Sequence, residues 1–567
     1  MEKTCNLVEL FSGIGSQAKA LNNLGIQVNL EGTSEWDVHA IAAYDVIHNA
    51  PDIPEEIQRM DKTELLKILG KYTFSNSGKA PLGFASLRTY SVDILQRLYA
   101  SIKRNKNFVD VTKLDGENLP DDIDILTYSF PCQDLSNVGA FHGYTKGIDK
   151  DSGSRSSLLW QVGRILTEMK DANKSLPRFL LMENVPTLLS KRHFNNFQTW
   201  IADLEDLGYI SQYYQLNASS FGLPQNRPRL LMISVYVGNN YEKWKCVRDY
   251  FQEKNTPESI IADYRASRYF TQYSVQQLLR TNYVNKKIYS EAVACTPNDT
   301  ESRRKIWEEN PQIVLPDGTL NPAIDVVRTI TTKQDRNPNS GNLYFDSGIE
   351  GRSTFRYLTP RECLLFMGFT DEDFRQLKNN NIEIHKGDYI FARDKVIRMA
   401  GNSIPVKLLE GVFYQILQLD KLQNSHARPG KTAPHEEGVQ ELVSIIKSHA
   451  FRNGIRSRIK EHDICPEYAD ISYPKYKTAV FIRRCPGAVN GADCTLSGER
   501  YWQNRCRKRS AAEMQQYENA VNMGWNAVVV NPCAFGTNNR NDTLDWIVRC
   551  VREGLSENKP GRIYARG

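Results

Sequence analysis

The sequence predicts an α/β fold with a Rossmann-like sheet, because short apolar runs alternate with amphipathic helical stretches along the first half of the chain. The first run, CNLVEL, ends in the glycine turn FSGIG, and a helical pattern follows it. Two later runs are followed by proline or polar residues, since DIDILTYSF precedes Pro131 and FLLM precedes Glu183 and Asn184. Ligands bind at the carboxyl ends of strands in open α/β sheets, so these three strand ends form the candidate site.

Length and composition indicate a globular chain with several folding units. The chain has 567 residues, of which 24% are charged, and this length has room for about three or four domains. The sequence contains no run of eighteen apolar residues and no signal-peptide pattern, so we expect an intracellular protein that does not engage a membrane. Its 11 cysteines suit reduced thiols better than a disulfide framework.

The net charge of +6 comes from the tail of the chain. From Arg428 onward the chain has 22 Lys and Arg and 15 Asp and Glu. The net charge of this part is therefore +7, which is more than the +6 of the whole chain. A basic tail suits a nucleic-acid partner, although a solvated surface is the common alternative.

The glycine turn after the first predicted strand is a candidate cofactor site. Phe11, Gly13 and Gly15 lie where the strand meets its helix, the place where a nucleotide-like cofactor approaches the backbone. Tight packing of the strand against the helix is the alternative. Glu35 follows about twenty residues later, the usual position of a carboxylate that accepts ribose hydroxyls. Trp36 beside it has two interpretations, an adenine-stacking ring or a core residue.

Reactive side chains follow the later strands. Cys132 comes directly after Pro131 and is a candidate nucleophile, since a thiolate at a strand end attacks well once its pKa is lowered. The alternative is an inert, packed cysteine. Glu183 at the next strand end suits proton transfer. Arg227 and Arg229 precede another strand, and their alternate spacing predicts that both point into one site, with a solvated basic edge as the alternative.

The five blocks FSGIG, FPCQ, MENV, QNRPR and AGNSIP, in this order, resemble the cytosine-5 DNA methyltransferase family. The match covers about residues 4–236 and 355–420 with family-like spacing. The resemblance implies an S-adenosylmethionine-dependent, Rossmann-like catalytic domain that is discontinuous, spanning 1–236 and 355–420. A target recognition domain would occupy 237–354, where no family block occurs.

The resemblance also implies a set of site residues. The catalytic residues would be Cys132, Glu183, Arg227 and Arg229. The S-adenosylmethionine site would contain Phe11, Gly13, Gly15, Glu35, Trp36, Asp110, Pro131 and Asn402. Within it, Glu35 would hold the ribose, Trp36 would pack on the adenine, and Asp110 would meet the adenine amino group.

The implied function is methyl transfer to C5 of a flipped-out cytosine in a specific double-stranded DNA sequence, through a covalent Cys132 adduct. The setting would be a bacterial or phage restriction-modification or epigenetic system, in the cytoplasm and associated with the nucleoid. The expected partners are DNA and a cognate restriction endonuclease. One alternative is a tRNA cytosine-5 methyltransferase, a branch with a much shorter insert. Another is a bifunctional methyltransferase and mismatch-nicking endonuclease.

After a polar linker at 421–435, residues 436–567 resemble the very-short-patch-repair (Vsr-like) endonuclease family. The resemblance rests on ADISYPKYKTAVFIRRC and on the run from RYWQNRC to NPCAF. Arg483 stands where that family has a histidine, and no histidine follows His462. A nuclease without its general base should be inactive, so the sequence predicts a degenerate α/β domain of this type.

Three cysteines of the tail are candidate ligands of a structural zinc ion. Cys485, Cys494 and Cys533 fall at the Vsr-like family's zinc positions, but the fourth ligand, a histidine, is missing. Structural zinc generally takes four ligands. Three buried thiols without a metal are the alternative.

Overall fold

The computed structural model describes residues 4–49, 52–131, 155–238, 240–426, 434–453, 455, 469–473, 476–482, 514, 516–530, 540–556 and 562–566. Cys132 and the three candidate zinc ligands lie outside these ranges. The chain forms two compact units. The first contains Met1–Tyr236 and Val247–Leu422, and the second contains Val237–Cys246 and Gln423–Gly567.

The strands of the first unit are β1 (Thr4–Leu10), β2 (Gln27–Ser34), β3 (Ile125–Tyr128), β4 (Phe179–Asn184), β5 (Tyr209–Asn217), β6 (Gln225–Asn226), β7 (Pro228–Tyr236), β8 (Gln312–Val314), β9 (Val327–Arg328), β10 (Asn342–Tyr344), β11 (Phe355–Tyr357), β12 (Glu383–His385) and β13 (Asp388–Tyr389). Six of them form the main sheet in the order β2-β1-β3-β4-β7-β5. Strands β2, β1, β3 and β4 run parallel, whereas β7 is antiparallel to both of its neighbours. The predicted Rossmann-like α/β sheet is therefore confirmed.

The α-helices up to residue 426 are α1 (Ser16–Asn23), α2 (Val38–His48), α3 (Glu55–Gln58), α4 (Lys62–Leu69), α5 (Phe84–Leu87), α6 (Val92–Arg104), α7 (Leu159–Asp171), α8 (Phe194–Leu207), α9 (Tyr241–Glu253), α10 (Pro257–Arg265), α11 (Val275–Leu278), α12 (Lys286–Ala294), α13 (Glu301–Glu309), α14 (Pro360–Phe366), α15 (Asp371–Asn379), α16 (Arg393–Asn402) and α17 (Val406–His426). One core cluster joins the main sheet to α7 and α8, with Leu126, Ile165 and Trp200 all at 0% exposure. This burial explains why the strands read as continuous apolar runs.

The region between β7 and β11, predicted as the recognition domain, contains α9 to α13 and short strands. Residues 247–354 belong to the same compact unit as the main sheet. Strand β9 pairs in parallel with β6, so the QNRPR segment and this region share a small sheet. The boundary between catalytic and recognition domains stays a prediction.

A buried ion pair lies where the chain returns from that region. Arg356 and Glu362 are both fully buried, with Nη1 and Oε2 2.8 Å apart. Glu362 also accepts the backbone N–H of Arg280 at 2.9 Å and that of Thr359 at 2.8 Å. The hydrogen bonds satisfy the buried charges, so this pair holds the end of the insert against the start of α14.

The described part of the second unit contains a four-stranded sheet of β14 (Ile471–Tyr473), β15 (Thr478–Ile482), β16 (Asn526–Val530) and β17 (Ile563–Arg566), with helices α18 (Pro434–Arg452) and α19 (Arg540–Ser556). Strands β14 and β15 are antiparallel, and the other two pairs are parallel. Within the described ranges, no helix has both the length and the apolar character needed to cross a membrane.

Candidate active site at the carboxyl edge of the main sheet

The turn after β1 adopts a left-handed backbone that opens one side of it. Phe11, Gly13 and Gly15 have φ angles of +61°, +56° and +77°. A Cβ on Gly13 would meet no atom within 4 Å, whereas a Cβ on Gly15 would lie 2.3 Å from Nε2 of His48. The two predicted roles of the glycine turn, cofactor approach and close packing, therefore belong to different residues. Gly13 borders open space that suits a ligand, and Gly15 is required for close packing.

Glu35 joins this turn to the end of β2. Its Oε2 accepts the N–H of Gly13 at 3.0 Å, and its Oε1 accepts the N–H of Asp37 at 2.8 Å. Burial, together with the nearby Asp37 carboxylate, raises the pKa of Glu35 to about 7. The carboxyl group is thus held beside the open side of Gly13, with lone pairs left for further donors.

Trp36 and Asp110 lie on the two segments that flank Glu35. The Trp36 side chain is half-buried, and its carbonyl accepts the N–H of Ser75 at 2.8 Å. Asp110 uses Oδ1 to accept both the N–H and the hydroxyl of Thr112, at 3.0 and 2.7 Å. Because Thr112 bonds only to Oδ1, the second carboxylate oxygen of Asp110, Oδ2, can accept a hydrogen bond from another donor. Trp36 directly follows Glu35, and the Ser34 hydroxyl donates to the carbonyl of Val109 at 3.2 Å, so Asp110 also lies near the carboxyl end of β2.

The loop that leads to Cys132 is held on two sides. Asn184, at the end of β4, donates from Nδ2 to the carbonyl of Phe130 at 3.0 Å. The hydroxyl of Ser129 donates to the carbonyl of Phe11 at 3.2 Å. Asn184 is 1% exposed and was not predicted as a site residue. Its position beside Glu183 in the MENV block was the only sequence signal for it. Pro131 is the last described residue of this loop.

Glu183 and Arg229 form an ion pair at this edge. The distance from Arg229 Nε to Glu183 Oε1 is 2.8 Å, and the two side chains are only 12% and 13% exposed. Glu183 pairs with Leu231 in the β4–β7 ladder, so Arg229 is its diagonal neighbour on the same face. Burial raises the pKa of Glu183, and the guanidinium of Arg229 opposes that rise. The arrangement therefore places the carboxyl group of Glu183 directly beside the guanidinium of Arg229, which holds it in one orientation.

Arg227 makes different contacts from Arg229. Its guanidinium donates to the carbonyls of Ile330, Gly401 and Ser403, each at 2.8 Å, and the residue is 2% exposed. This differs from the predicted placement of both arginines in one site. The reason is that residue 227 lies between β6 and β7, so strand alternation does not govern its direction.

Asn402 is exposed at the last position of α16. The preceding Gly401 packs directly on backbone, because a Cβ there would lie 2.5 Å from the N atom of Thr332. Together with the hydrogen bonds from Arg227 to the carbonyls of Gly401 and Ser403, this contact fixes the backbone on both sides of Asn402.

A family model and two relatives agree on one family. The model of the C-5 cytosine-specific DNA methylase family matches residues 87–418. The chain is 30% identical to the type II methyltransferase M2.ScrFI of Lactococcus lactis subsp. cremoris over 417 residues, 72% of this chain and 98% of the relative. It is also 30% identical to the orphan methyltransferase M.SssI of Spiroplasma monobiae over 433 residues, 73% of this chain and 97% of the relative. The crystal structure of S. pombe Dnmt2 methyltransferase covers 73% of this chain and 99% of its own, at 15% identity and a TM-score of 0.43.

Proposed function

This chain belongs to the C-5 cytosine-specific DNA methylase family, and from that premise we propose which residues carry out its reaction and on what form of DNA. It is a DNA cytosine-5 methyltransferase of the restriction-modification type. The proposed reaction takes place on a cytosine flipped out of a specific double-stranded sequence and proceeds through a covalent Cys132 adduct. The proposed setting is a bacterial or phage restriction-modification or epigenetic system.

The residues at the carboxyl edge fit S-adenosylmethionine, which supplies an electrophilic methyl group when bound. The open side of Gly13 leaves room for the backbone to approach it. The Glu35 carboxyl accepts ribose hydroxyls, and Asp110 Oδ2 accepts from the adenine amino group. The half-buried ring of Trp36 offers a face to the adenine. Phe11, Pro131 and Asn402 complete the proposed cofactor site, and Gly15 supports it through its close packing on His48 and Tyr44.

The observation that carries the catalytic proposal is the Glu183–Arg229 pair. Cytosine C5 is a poor nucleophile, and addition of the Cys132 thiolate at C6 pushes electron density onto it. Glu183, whose pKa burial raises, donates its proton to N3 and so neutralises the charge that develops on the ring. Arg229, 2.8 Å away, orients the carboxyl group and balances its charge once the proton has left. C5 then takes up the methyl group, and the sulfonium sulfur is left as a neutral thioether. Loss of the C5 proton to water and departure of the Cys132 thiolate re-form the C5–C6 double bond, and return of the N3 proton to Glu183 restores the aromatic ring.

The loop contacts support the position of the nucleophile. Cys132 follows Phe130 by two residues, and the Phe130 carbonyl is held by Asn184 from the strand that also carries Glu183. The backbone at Phe130 and the acid are thereby held at one strand end, and a fixed orientation of this kind favours catalysis. The target ring is unreachable inside a duplex, so base flipping must deliver it.

The remaining regions are assigned by position. We propose that 237–354 reads the target sequence and that 436–567 is a degenerate Vsr-like domain. The described part of this domain contains the mixed sheet β14–β17, and Oδ2 of Asp470, the residue before β14, accepts the N–H of Ile482 at 2.7 Å. One relative is named a type II methyltransferase and the other an orphan methyltransferase. A cognate restriction endonuclease for this chain is therefore a further proposal.

The test is methyl transfer from labelled S-adenosylmethionine to genomic DNA, followed by bisulfite sequencing. Wild type should methylate one recurrent sequence context, and Cys132→Ala should abolish the transfer. Cys5→Ala is the matched control, because Cys5 is fully buried in β1, away from the site. Transfer to tRNA but not to DNA would overturn the DNA assignment. Full activity of Cys132→Ala would overturn the covalent mechanism.

A further inference from the structure

Three side chains pack against the turn that contains Gly13, at Ile14, Gly15 and the start of α1. We call Glu9, Tyr44 and His48 the brace. Glu9 is in β1 and fully buried, and Tyr44 in α2 is 3% exposed. The Tyr44 hydroxyl donates to Oε2 of Glu9, and the N–H of Ala18 donates to Oε1 at 3.2 Å. Glu9 therefore links α2 to the third residue of α1, just beyond the turn.

His48 contacts the turn itself. Its Nε2 lies 3.0 Å from the carbonyl oxygen of Ile14. Burial lowers the pKa of His48 to about 4, so the ring is neutral near pH 7 and donates from a protonated Nε2. The Tyr44 and His48 rings are 4.7 Å apart, and a Cβ on Gly15 would collide with both. The brace thus fills the space that the missing side chain of Gly15 leaves.

The turn needs such support because its backbone conformation is unusual. Three of the five residues from 11 to 15 have positive φ, and Phe11 is not a glycine. A side chain in the left-handed region is strained and persists only where its surroundings hold it. The turn also directs the N–H of Gly13 onto Glu35 at 3.0 Å. A shift of the turn would therefore move the proposed ribose acceptor as well as the open face.

We propose that Glu9, Tyr44 and His48 are positioning residues that hold the turn in the conformation that binds S-adenosylmethionine. The inference rests on the proposed cofactor site. It goes beyond that site because none of the three residues belongs to the set proposed to contact the cofactor or the target base. Loss of a brace contact should weaken cofactor binding while the chemical step at saturating cofactor stays intact. Ordinary core packing would instead change stability without a specific change in cofactor affinity.

The test measures the affinity of the full-length protein for S-adenosylmethionine by titration calorimetry, without DNA. Tyr44→Phe removes one hydroxyl and His48→Leu removes the donor to Ile14, and each should weaken binding about fivefold to tenfold. His48→Gln places an amide donor near the same position and should restore most of the affinity. The matched control is Tyr209→Phe. Tyr209 is fully buried at the opposite edge of the sheet, and its hydroxyl donates to Pro177 at 2.8 Å.

Steady-state kinetics and melting temperatures complete the test. For the brace variants, KM for S-adenosylmethionine should rise while kcat and KM for DNA stay within about twofold of wild type. If wild type itself does not bind the cofactor, the proposed function fails. If wild type binds and both brace variants bind as tightly as Tyr209→Phe, the brace is refuted. Should His48→Leu unfold, Tyr44→Phe decides, because it differs by one oxygen atom.

Discussion

Asn184 provides a sharp test of how the catalytic loop is held. Its Nδ2 donates to the Phe130 carbonyl at 3.0 Å, and its Oδ1 accepts the N–H of Val185 at 2.9 Å. Asn184→Ala removes both bonds at a side chain that is 1% exposed. Leaving one buried group without its partner costs about 1–3 kcal/mol. Because Phe130 precedes Cys132 by two residues, we expect much of this cost to appear as a displaced nucleophile.

The expected result is a fall in kcat of about 10-fold to 100-fold, since each ~1.4 kcal/mol corresponds to one factor of ten. The assay is single-turnover methyl transfer at saturating S-adenosylmethionine and DNA, with cofactor affinity measured in parallel. Asn184→Asp keeps the shape but sets a carboxylate oxygen against the carbonyl, so it should lose at least as much rate. Cofactor affinity should change less than kcat, because Asn184 holds only the Pro131 end of the proposed cofactor site, through its bond to Phe130.

A matched control separates this effect from general destabilisation. Asn526 in β16 is 4% exposed and accepts the N–H of Arg562 at 3.0 Å. Asn526→Ala should lower the melting temperature without lowering kcat at temperatures where it stays folded. A folded Asn184→Ala variant with kcat within twofold of wild type would refute the reasoning.

Three further predictions follow from the site. Glu183→Gln should lower kcat about 10²-fold to 10⁴-fold. In wild type, kcat should fall as pH rises through the raised pKa of Glu183, because the protonated form is the donor, and a pH–rate profile of both proteins checks this. Glu9 and Glu35 each have a folded pKa of about 7, above the ordinary 4.5, so the folded chain holds more protons and stability should fall as pH rises from about 4.5 to 7. Denaturant titrations across that range should show a shallower fall for Glu9→Gln, and an unchanged slope would contradict it. Gly401→Ala places a Cβ 2.5 Å from backbone and should cost about 1–3 kcal/mol of stability, measured by chemical denaturation, with weaker cofactor binding. Gly387→Ser is the control. Gly387 has a positive φ and open space around an added Cβ, so this variant tests whether backbone strain without a clash weakens cofactor binding.

The residues along the chain were sufficient to predict the fold and the family. Apolar runs followed by glycine, proline or polar residues predicted β1, β3 and β4, because a strand buried on both faces leaves a local pattern. The five motif blocks identified the methyltransferase family, which the family model and two relatives confirm. The roles of the individual site residues and the Vsr-like character of the tail stay predictions.

Only the tertiary structure distinguished Arg227 from Arg229. The QNRPR block places two arginines at alternate positions, and both were predicted as catalytic residues. In the structure, Arg227 donates to backbone carbonyls at 330 and 401–403, whereas Arg229 pairs with Glu183. The bonds of Arg227 join residues separated by more than a hundred positions. Local sequence carries no record of such partners, because they depend on how the insert returns to the sheet.

The same limit applies to the turn after β1. Its glycines are visible in the sequence, and the pattern left cofactor approach and close packing as equal interpretations. The structure assigns the open side to Gly13 and the packed side to Gly15, because α2 brings Tyr44 and His48 against only one of them. The sequence by itself thus determined which elements form and what chemistry their ends carry, since these depend on local pattern. Which side chains support and which react was decided by packing between distant elements.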